Sequence, residues 1–485
     1  MLQGADRGPS GAWTAAAAAL SLGVGLASTP LFDPDEPVYA EAGREMLRRG
    51  SWLVPYFDGR PWFDKPVLFY ALEGWSQRLL GPGALAARLP SVLAAAALAW
   101  LLGRAGSRWF GPAAGRWAAW VSVTAAYPAV VGRAAITDSV FVLCLTLAVV
   151  GFGELLGAAE AADPPLARAR SAVPAGARAA LGLALATLTK GPVAAGLVAL
   201  QLAGCAAAGR TWAPLRRGRV WLAGLAGLAL AAPWYAYMVH RFPGRFAAEF
   251  LGRQNLARFA TPEHAGLPAY YFLALLPVAL LPWTAFAPLL VRRPAAAAPG
   301  GRAGCGPRTY LWVWVAVVVA FFSLSATKLP TYVLPAVPAV SLLLGEGLAR
   351  AGRRWRAAAW LAGAATAAGL AVAASCVAPA FVCYYSAASR AAELRQAGPQ
   401  ERICAYKGGL PGVLYYTGRR AETLADPAAV RRALAAPEPL WLLVRPRHAP
   451  ELAAELRALR KLPGPSGPRG EGLLLYRTPA KAEPR

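Results

Sequence analysis

Three lysines mark the positions in this chain best suited to chemistry. The sequence of 485 residues carries 50 Lys and Arg residues, yet Lys65, Lys190 and Lys328 are the only lysines before residue 390. Each is followed within two residues by proline: Lys65-Pro66, Lys190-Gly191-Pro192 and Lys328-Leu329-Pro330. A lysine at a helix end can simply snorkel to a membrane interface. Arginine would do that equally well, and this chain uses arginine almost everywhere else. A compact ammonium is the better fit to a phosphate oxygen, so function is the favoured reading of all three.

The carboxylates are placed as selectively. The first 384 residues hold 16 acidic side chains, and eight of these fall between Asp33 and Glu73. Asp33-Pro34-Asp35-Glu36 follows the first apolar run, and Asp138 opens another in Arg133-Ala-Ala-Ile-Thr-Asp138. An ionisable group at membrane depth is costly and usually marks a site or an ion pair. Asp35 has a structural alternative as a helix cap ahead of Tyr39–Leu47, but function is favoured for Asp35 and Glu36. Asp138 reads equally well as a functional group, a cap, or an ion-pair partner of Arg133 or Lys190.

The segment 240–266 adds His240, Arg253, Asn255, Arg258 and His264. Arg258 is the candidate anion contact among them. His264 and Asp64 supply two ligand types for a zinc or magnesium ion, which is short of a coordination shell. A lone histidine is more often structural. No cofactor is required by the sequence; a divalent metal is the one candidate. Cations and carboxylates gathered at a membrane surface suit group transfer. The cations grip a departing phosphate, and a carboxylate takes the proton of an incoming hydroxyl.

The elements that must carry these residues are membrane helices. Hydrophobic residues make up 57% of the chain, charged residues 15%, and the mean hydropathy is +0.40. Soluble domains have roughly 45–50% and about 25%, so a water-soluble enzyme and a disordered chain are both excluded. The net charge of +25 does not require nucleic acid as partner. It arises from arginine clusters between apolar runs, as the positive-inside rule expects. Eleven runs approach the roughly 20 residues that span a bilayer: 11–30, 86–103, 117–131, 136–157, 177–189, 192–209, 219–239, 268–291, 309–325, 330–349 and 357–383. The first is read as a retained helix, not a cleaved signal. The arginine-rich loops alternate with the others. That alternation predicts a cytoplasmic N-terminus and places all the candidate residues on the external face.

Two regions are not membrane-like. Residues 31–85 form a first external loop with predicted helices at 35–49 and 66–80. Residues 385–485 alternate strand-like runs (Arg402–Tyr406, Leu440–Val444, Gly472–Tyr476) with an amphipathic helix over Pro450–Lys461, which predicts a small external α/β domain beside a membrane domain over 1–384. The six cysteines form no C-x-x-C pair. Cys383 and Cys404 fall on the oxidising side, and their pairing is left open.

The motifs together resemble a known family. Asp33-Pro-Asp35-Glu36-Pro-Val-Tyr39-Ala-Glu41, Arg44-Glu45-Met46-Leu47, Trp52-Leu53-Val54-Pro55 and Phe63-Asp64-Lys65-Pro66-Val-Leu-Phe-Tyr70 are similar to the first external loop of the lipid A aminoarabinose transferases. Ala87-Arg88-Leu89-Pro90-Ser91, Thr189-Lys190-Gly191-Pro192 and Ser323-Leu-Ser-Ala-Thr-Lys328-Leu-Pro330-Thr-Tyr332-Val-Leu334-Pro335 continue the likeness. It covers roughly residues 12–350. That family belongs to the GT-C superfamily, with the protein O-mannosyltransferases as relatives.

The resemblance implies an all-α polytopic membrane protein of GT-C type, with about 11–13 transmembrane helices and a small C-terminal α/β periplasmic domain. It implies an inverting glycosyltransferase of the bacterial inner membrane, moving a sugar from an undecaprenyl phosphate donor to lipid A, lipopolysaccharide or another envelope acceptor. Asp35 would be the general base with Glu36 beside it, and Asp138 and Lys190 would support that centre by charge, with Arg133 behind them. Lys65, Arg258 and Tyr332 would contact the donor phosphate, joined by Lys190 and Lys328. The 31–85 loop would cover the lipid cavity. Three positions depart from the family pattern: Val38 where arginine is frequent, Asp64 where glutamate is usual and binds metal in relatives, and Arg253 or Asn255 where histidine is expected. Two other readings are a lipid-linked sugar transporter or flippase, and a protein O-glycosyltransferase. The flippase reading would more naturally show inverted repeats and broken helices near the midplane, and the sequence reads as having neither. A decayed, non-catalytic scaffold is disfavoured because Asp35, Glu36, Lys65 and Lys328 are all intact.

Overall fold

The computed structural model describes residues 8–157, 173–261, 266–291 and 305–479. All eleven apolar runs contain helix, the first of them only as far as Gly23. Among the described residues, six helices are long and apolar enough to cross a membrane: Ala84–Phe110, Asp138–Leu156, Gly218–Arg241, Pro307–Leu324, Pro330–Arg350 and Arg353–Tyr385. A seventh is the pair Tyr271–Ala279 and Trp283–Val291, bent by 96°; the sequence reads as having no broken helix, and this one breaks where Pro282 removes a backbone donor. The other runs fold as shorter helices. The 117–131 run divides into Pro112–Thr124 and Ala126–Gly132 because the ring of Pro128 cannot follow the carbonyl of Thr124 within one helix. The chain is a polytopic helical membrane protein.

By contact the chain forms two compact units. One comprises Met1–Val24, Phe63–Phe69 and Pro90–Ala371; the other comprises Gly25–Trp62, Tyr70–Leu89 and Val372–Arg485. In the first unit, small residues set the spacing of the helices. A Cβ on Gly182 would lie 2.4 Å from the amide nitrogen of Ala148, and one on Gly151 would lie 2.6 Å from that of Ala179. The Asp138–Leu156 and Ala175–Lys190 helices therefore run antiparallel at near-backbone contact, the membrane mode in which small residues replace a hydrophobic drive. The Gly218–Arg241 helix instead turns Trp221, Leu222, Leu225 and Leu230 outward, as a lipid-facing surface requires.

The second unit holds the loop helix Asp35–Arg49 and, from Tyr70 on, the loop helix Val67–Leu80, both close to the predicted bounds. Its sheet has five strands in the order Glu422–Leu424, Arg402–Tyr406, Leu440–Val444, Leu474–Arg477, Arg460–Leu462. The first three are mutually parallel and the last two are antiparallel additions. Period-two alternation explains its double core. Cys404, Tyr406, Leu440, Leu442 and Val444 face one cluster, and Ile403, Ala405, Trp441 and Leu443 face the other. Such two-sided burial is what parallel strands need. The predicted helix over 450–461 is shorter in fact: Pro446–Leu452 forms a 3-10 turn and Ala453–Leu456 one helical turn, and Arg460–Leu462 is a strand. Its ladder partner lies at 475–477, and that long-range pairing overrides local helical periodicity. Cys383 and Cys404 are both free thiols.

Candidate active site

In the first unit the geometry begins from an antiparallel helix pair. The register that sets Gly151 on Ala179 also brings Asp138, the first residue of its helix, to Lys190, the last of its neighbour. Lys190 Nζ donates to Asp138 Oδ1 at 2.7 Å. The same ammonium lies 5.1 Å from the ring centre of Phe141 and 5.9 Å from that of Tyr332. Tyr332 is held in the Pro330–Ala336 turn against Phe322, ring centres 4.7 Å apart. Of the two ion-pair partners the sequence offered Asp138, Lys190 is thus a direct one. Arg133 donates to the carbonyls of Ser21 and Val24.

Lys65 sits in the same field. Its Nζ donates to Asp64 Oδ2 at 3.1 Å, and Arg258 Nη1 stands 3.9 Å from Asp64 Oδ1. Burial lowers the pKa of Lys65 from the ordinary lysine value, and the charges of Arg258 and Lys190 lower it further against the opposing pull of Asp64. Lys65, Lys190 and Arg258 thus lie within electrostatic reach of one another, with Asp64 and Asp138 as the paired carboxylates. An anion placed among these cations would favour the charged form of Lys65. The Ser325–Lys328 segment is tied to Arg258 through main-chain bonds, Ala326 N to Phe259 O at 2.8 Å and Thr327 N to Arg258 O at 3.2 Å. Lys328 Nζ donates to Ser325 O at 2.7 Å. Lys65, Lys190, Arg258, Lys328 and Tyr332 thus all lie on this unit.

In the second unit Asp35 and Glu36 open the Asp35–Arg49 helix, where the N-terminal dipole favours negative charge. The neighbours differ sharply. Asp35 is exposed, whereas Glu36 is buried. Arg88 donates to both oxygens of Glu36, Nε to Oε1 at 2.8 Å and Nη2 to Oε2 at 2.7 Å, and Phe32 N adds a bond to Oε2 at 2.9 Å. Arg88 also donates to the carbonyls of Leu26, Thr29 and Pro30. Sequence reasoning quoted Arg88 within a motif but gave it no role. Its signal is an arginine inside the Ala87-Arg88-Leu89-Pro90-Ser91 motif at the external end of an apolar run. Glu41 is bonded by Arg44 and Arg48, and Glu45 by Arg49 and Gly59 N. Glu73 is buried with neither oxygen hydrogen-bonded, and burial, then the charge of Glu36, drives its pKa well above the ordinary range.

A metal at Asp64 does not fit these residues. Its carboxylate already faces Lys65 and Arg258, and a divalent ion would stand beside two like charges. Among the described residues no group of three His, Cys, Asp or Glu side chains could hold an ion. His264 lies outside the described residues. Arg253 is exposed, and Asn255 Nδ2 donates to Phe250 O at 2.6 Å.

No protein-family profile matches the chain. In sequence the chain is related to the undecaprenyl phosphate-alpha-4-amino-4-deoxy-L-arabinose arabinosyl transferases. It is 32% identical to that of Edwardsiella ictaluri over 324 residues, 65% of this chain and 55% of the relative. It is 32% identical to one from Pseudomonas aeruginosa over 333 residues, 67% of this chain and 57% of the relative. The chain thus matches little more than half the length of these curated relatives. Its fold is similar to that of ArnT from Cupriavidus metallidurans, solved bound to undecaprenyl phosphate, with a TM-score of 0.73 at 20% identity over 98% of both chains. It is less similar to the oligosaccharyltransferase of Archaeoglobus fulgidus, with a TM-score of 0.53 at 12% identity over 89% of this chain and 69% of that one. At these identities the likeness is one of fold.

Proposed function

We propose that this relative of the aminoarabinose transferases is an inverting membrane glycosyltransferase. It transfers a sugar from a polyprenyl phosphate donor, undecaprenyl phosphate by analogy with the relatives, to a hydroxyl of lipid A or another envelope acceptor. The observation that carries this reading is the gathering of Lys65, Lys190 and Arg258 within electrostatic reach of one another, which suits an anion of phosphate type. Lys65, Lys190 and Arg258 hold the phosphate, with Tyr332 and Lys328 beside them and Arg133 supporting. Asp138 fixes Lys190. Asp35, the exposed carboxylate, is the general base. The acceptor oxygen forms a bond to the anomeric carbon, the bond from that carbon to the phosphate oxygen breaks, and the acceptor proton passes to Asp35. Negative charge grows on the departing phosphate, where cations stabilise it best. Glu36, both of whose oxygens are bonded, serves to place Asp35 and takes no proton. No step is assigned to a metal.

The arginine-rich loops support a cytoplasmic N-terminus and a periplasmic 385–485 domain beyond the 1–384 membrane domain, in a bacterial inner membrane. The test is turnover of protein in nanodiscs with a panel of undecaprenyl phosphate sugars and envelope lipid extract, read by mass spectrometry. Wild type should release undecaprenyl phosphate and yield a glycosylated product. Asp35→Asn should yield none, and Lys65→Ala should raise the donor KM at least about tenfold, the scale of one charged contact. Full activity of Asp35→Asn would remove the base. Movement of donor lipid across vesicles without any new glycosidic bond would favour the transporter reading instead.

A further inference from the structure

We propose that Asp33 is a positioning residue through which the C-terminal α/β region holds the segment bearing Asp35. This rests on Asp35 as the general base. Residues Leu31 to Asp33 make five hydrogen bonds to partners more than 350 positions away. Asp33 Oδ2 accepts from Ala387 N at 2.9 Å and Oδ1 accepts from Gly412 N at 2.7 Å. Asp33 N donates to Tyr385 O at 2.7 Å. Leu31 N donates to the hydroxyl of Tyr416 at 2.7 Å, and Leu31 O accepts from Ser386 Oγ at 2.6 Å. The Asp33 carboxylate is buried. It fits against Gly412 so closely that a Cβ there would meet Oδ2 at 2.5 Å. A glycine with a close anionic partner is what a main-chain amide needs to reach that partner unobstructed.

The consequence concerns the two residues between the anchors. Asp33 is fixed from the C-terminal side of the chain, and Glu36 is fixed by Arg88. Asp35 lies between them and is exposed. An accessible carboxylate on a short segment pinned at both ends keeps its place without burying the group that must meet substrate. The donor contacts named above come from other segments. Loosening Asp33 should therefore disturb the chemical step and leave donor binding alone. Displacement of a reacting group by about 1 Å can cost about 100-fold in rate.

Asp33→Asn is the near-isosteric test, because the carboxamide turns a donor toward one of two amide donors. It should lower kcat by roughly 10- to 100-fold with donor KM unchanged. Hydrogen–deuterium exchange should show faster exchange over 31–36 and unchanged protection of the 402–406 strand. Where that variant does not express, Tyr416→Phe removes only the acceptor of Leu31 N, and a smaller fall in kcat with the same exchange signature is expected. Asp35→Asn is assayed in parallel. If Asp35→Asn is inactive but Asp33→Asn and Tyr416→Phe keep wild-type kcat, the positioning role is overturned and the transferase reading survives. If Asp35→Asn is fully active, the transferase base itself fails. A rise in donor KM without a fall in kcat would place Asp33 in donor binding and likewise overturn the proposal.

Discussion

Asp33, Asp35 and Glu36 lie within four positions and meet three different environments. Glu36 is paired with a guanidinium, Asp35 is open to solvent, and Asp33 accepts two main-chain amides in a buried setting. Burial outweighs those amides, and its pKa rises from the ordinary 3.8 to about 6. The protonated form is thus favoured by folding. The contribution to stability is fully present below about pH 4 and is lost as pH rises through about 6. A shift of this size corresponds to about 3 kcal/mol. Thermal midpoints of wild type and Asp33→Asn between pH 4 and 7 should therefore differ in slope, with wild type losing stability across that window. Parallel profiles would mean that Asp33 ionises as an ordinary surface carboxylate does.

At the scale of elements, the meeting of Lys190 with Asp138 is a product of helix contact. Two glycines let the Asp138–Leu156 and Ala175–Lys190 helices approach to backbone distance. Gly182→Val should force them apart, costing about 1–3 kcal/mol as overpacking does, and should weaken the donor phosphate site at the helix ends. A lowered thermal midpoint together with a raised donor KM is the expected result. Unchanged values for both would show that the helix spacing does not set the charge pair.

At the scale of the molecule, the arginine distribution predicts a single orientation. An alkaline phosphatase reporter fused after residue 385 should be active, and one placed in the 210–217 loop should be silent. The opposite pattern would put the cation cluster on the cytoplasmic face and remove access to a periplasmic acceptor. Arginines at the loop ends also find carboxylates: Arg108 and Arg178 share the half-buried Glu154, and Arg308 and Arg350 share the buried Glu346. These pairs account for acids that lie apart from the candidate site.

The sequence alone determined which side chains to consider. Lysine rarity singled out Lys65, Lys190 and Lys328, and apolar run lengths placed eleven helices, because both signals are local and the membrane penalises stray charge. The helices at 35–49 and 66–80 were legible for the same reason. Pairing was not. Glu36 with Arg88, Asp138 with Lys190, and Asp33 with Ala387 and Gly412 are separated by 52 to 379 residues, and no periodicity encodes such distances. The strand at 460–462 was hidden likewise, since its hydrogen bonds depend on a partner at 475–477. Only tertiary structure decided which of two adjacent carboxylates is exposed and which is buried, because exposure is set by what packs against a residue and not by its type.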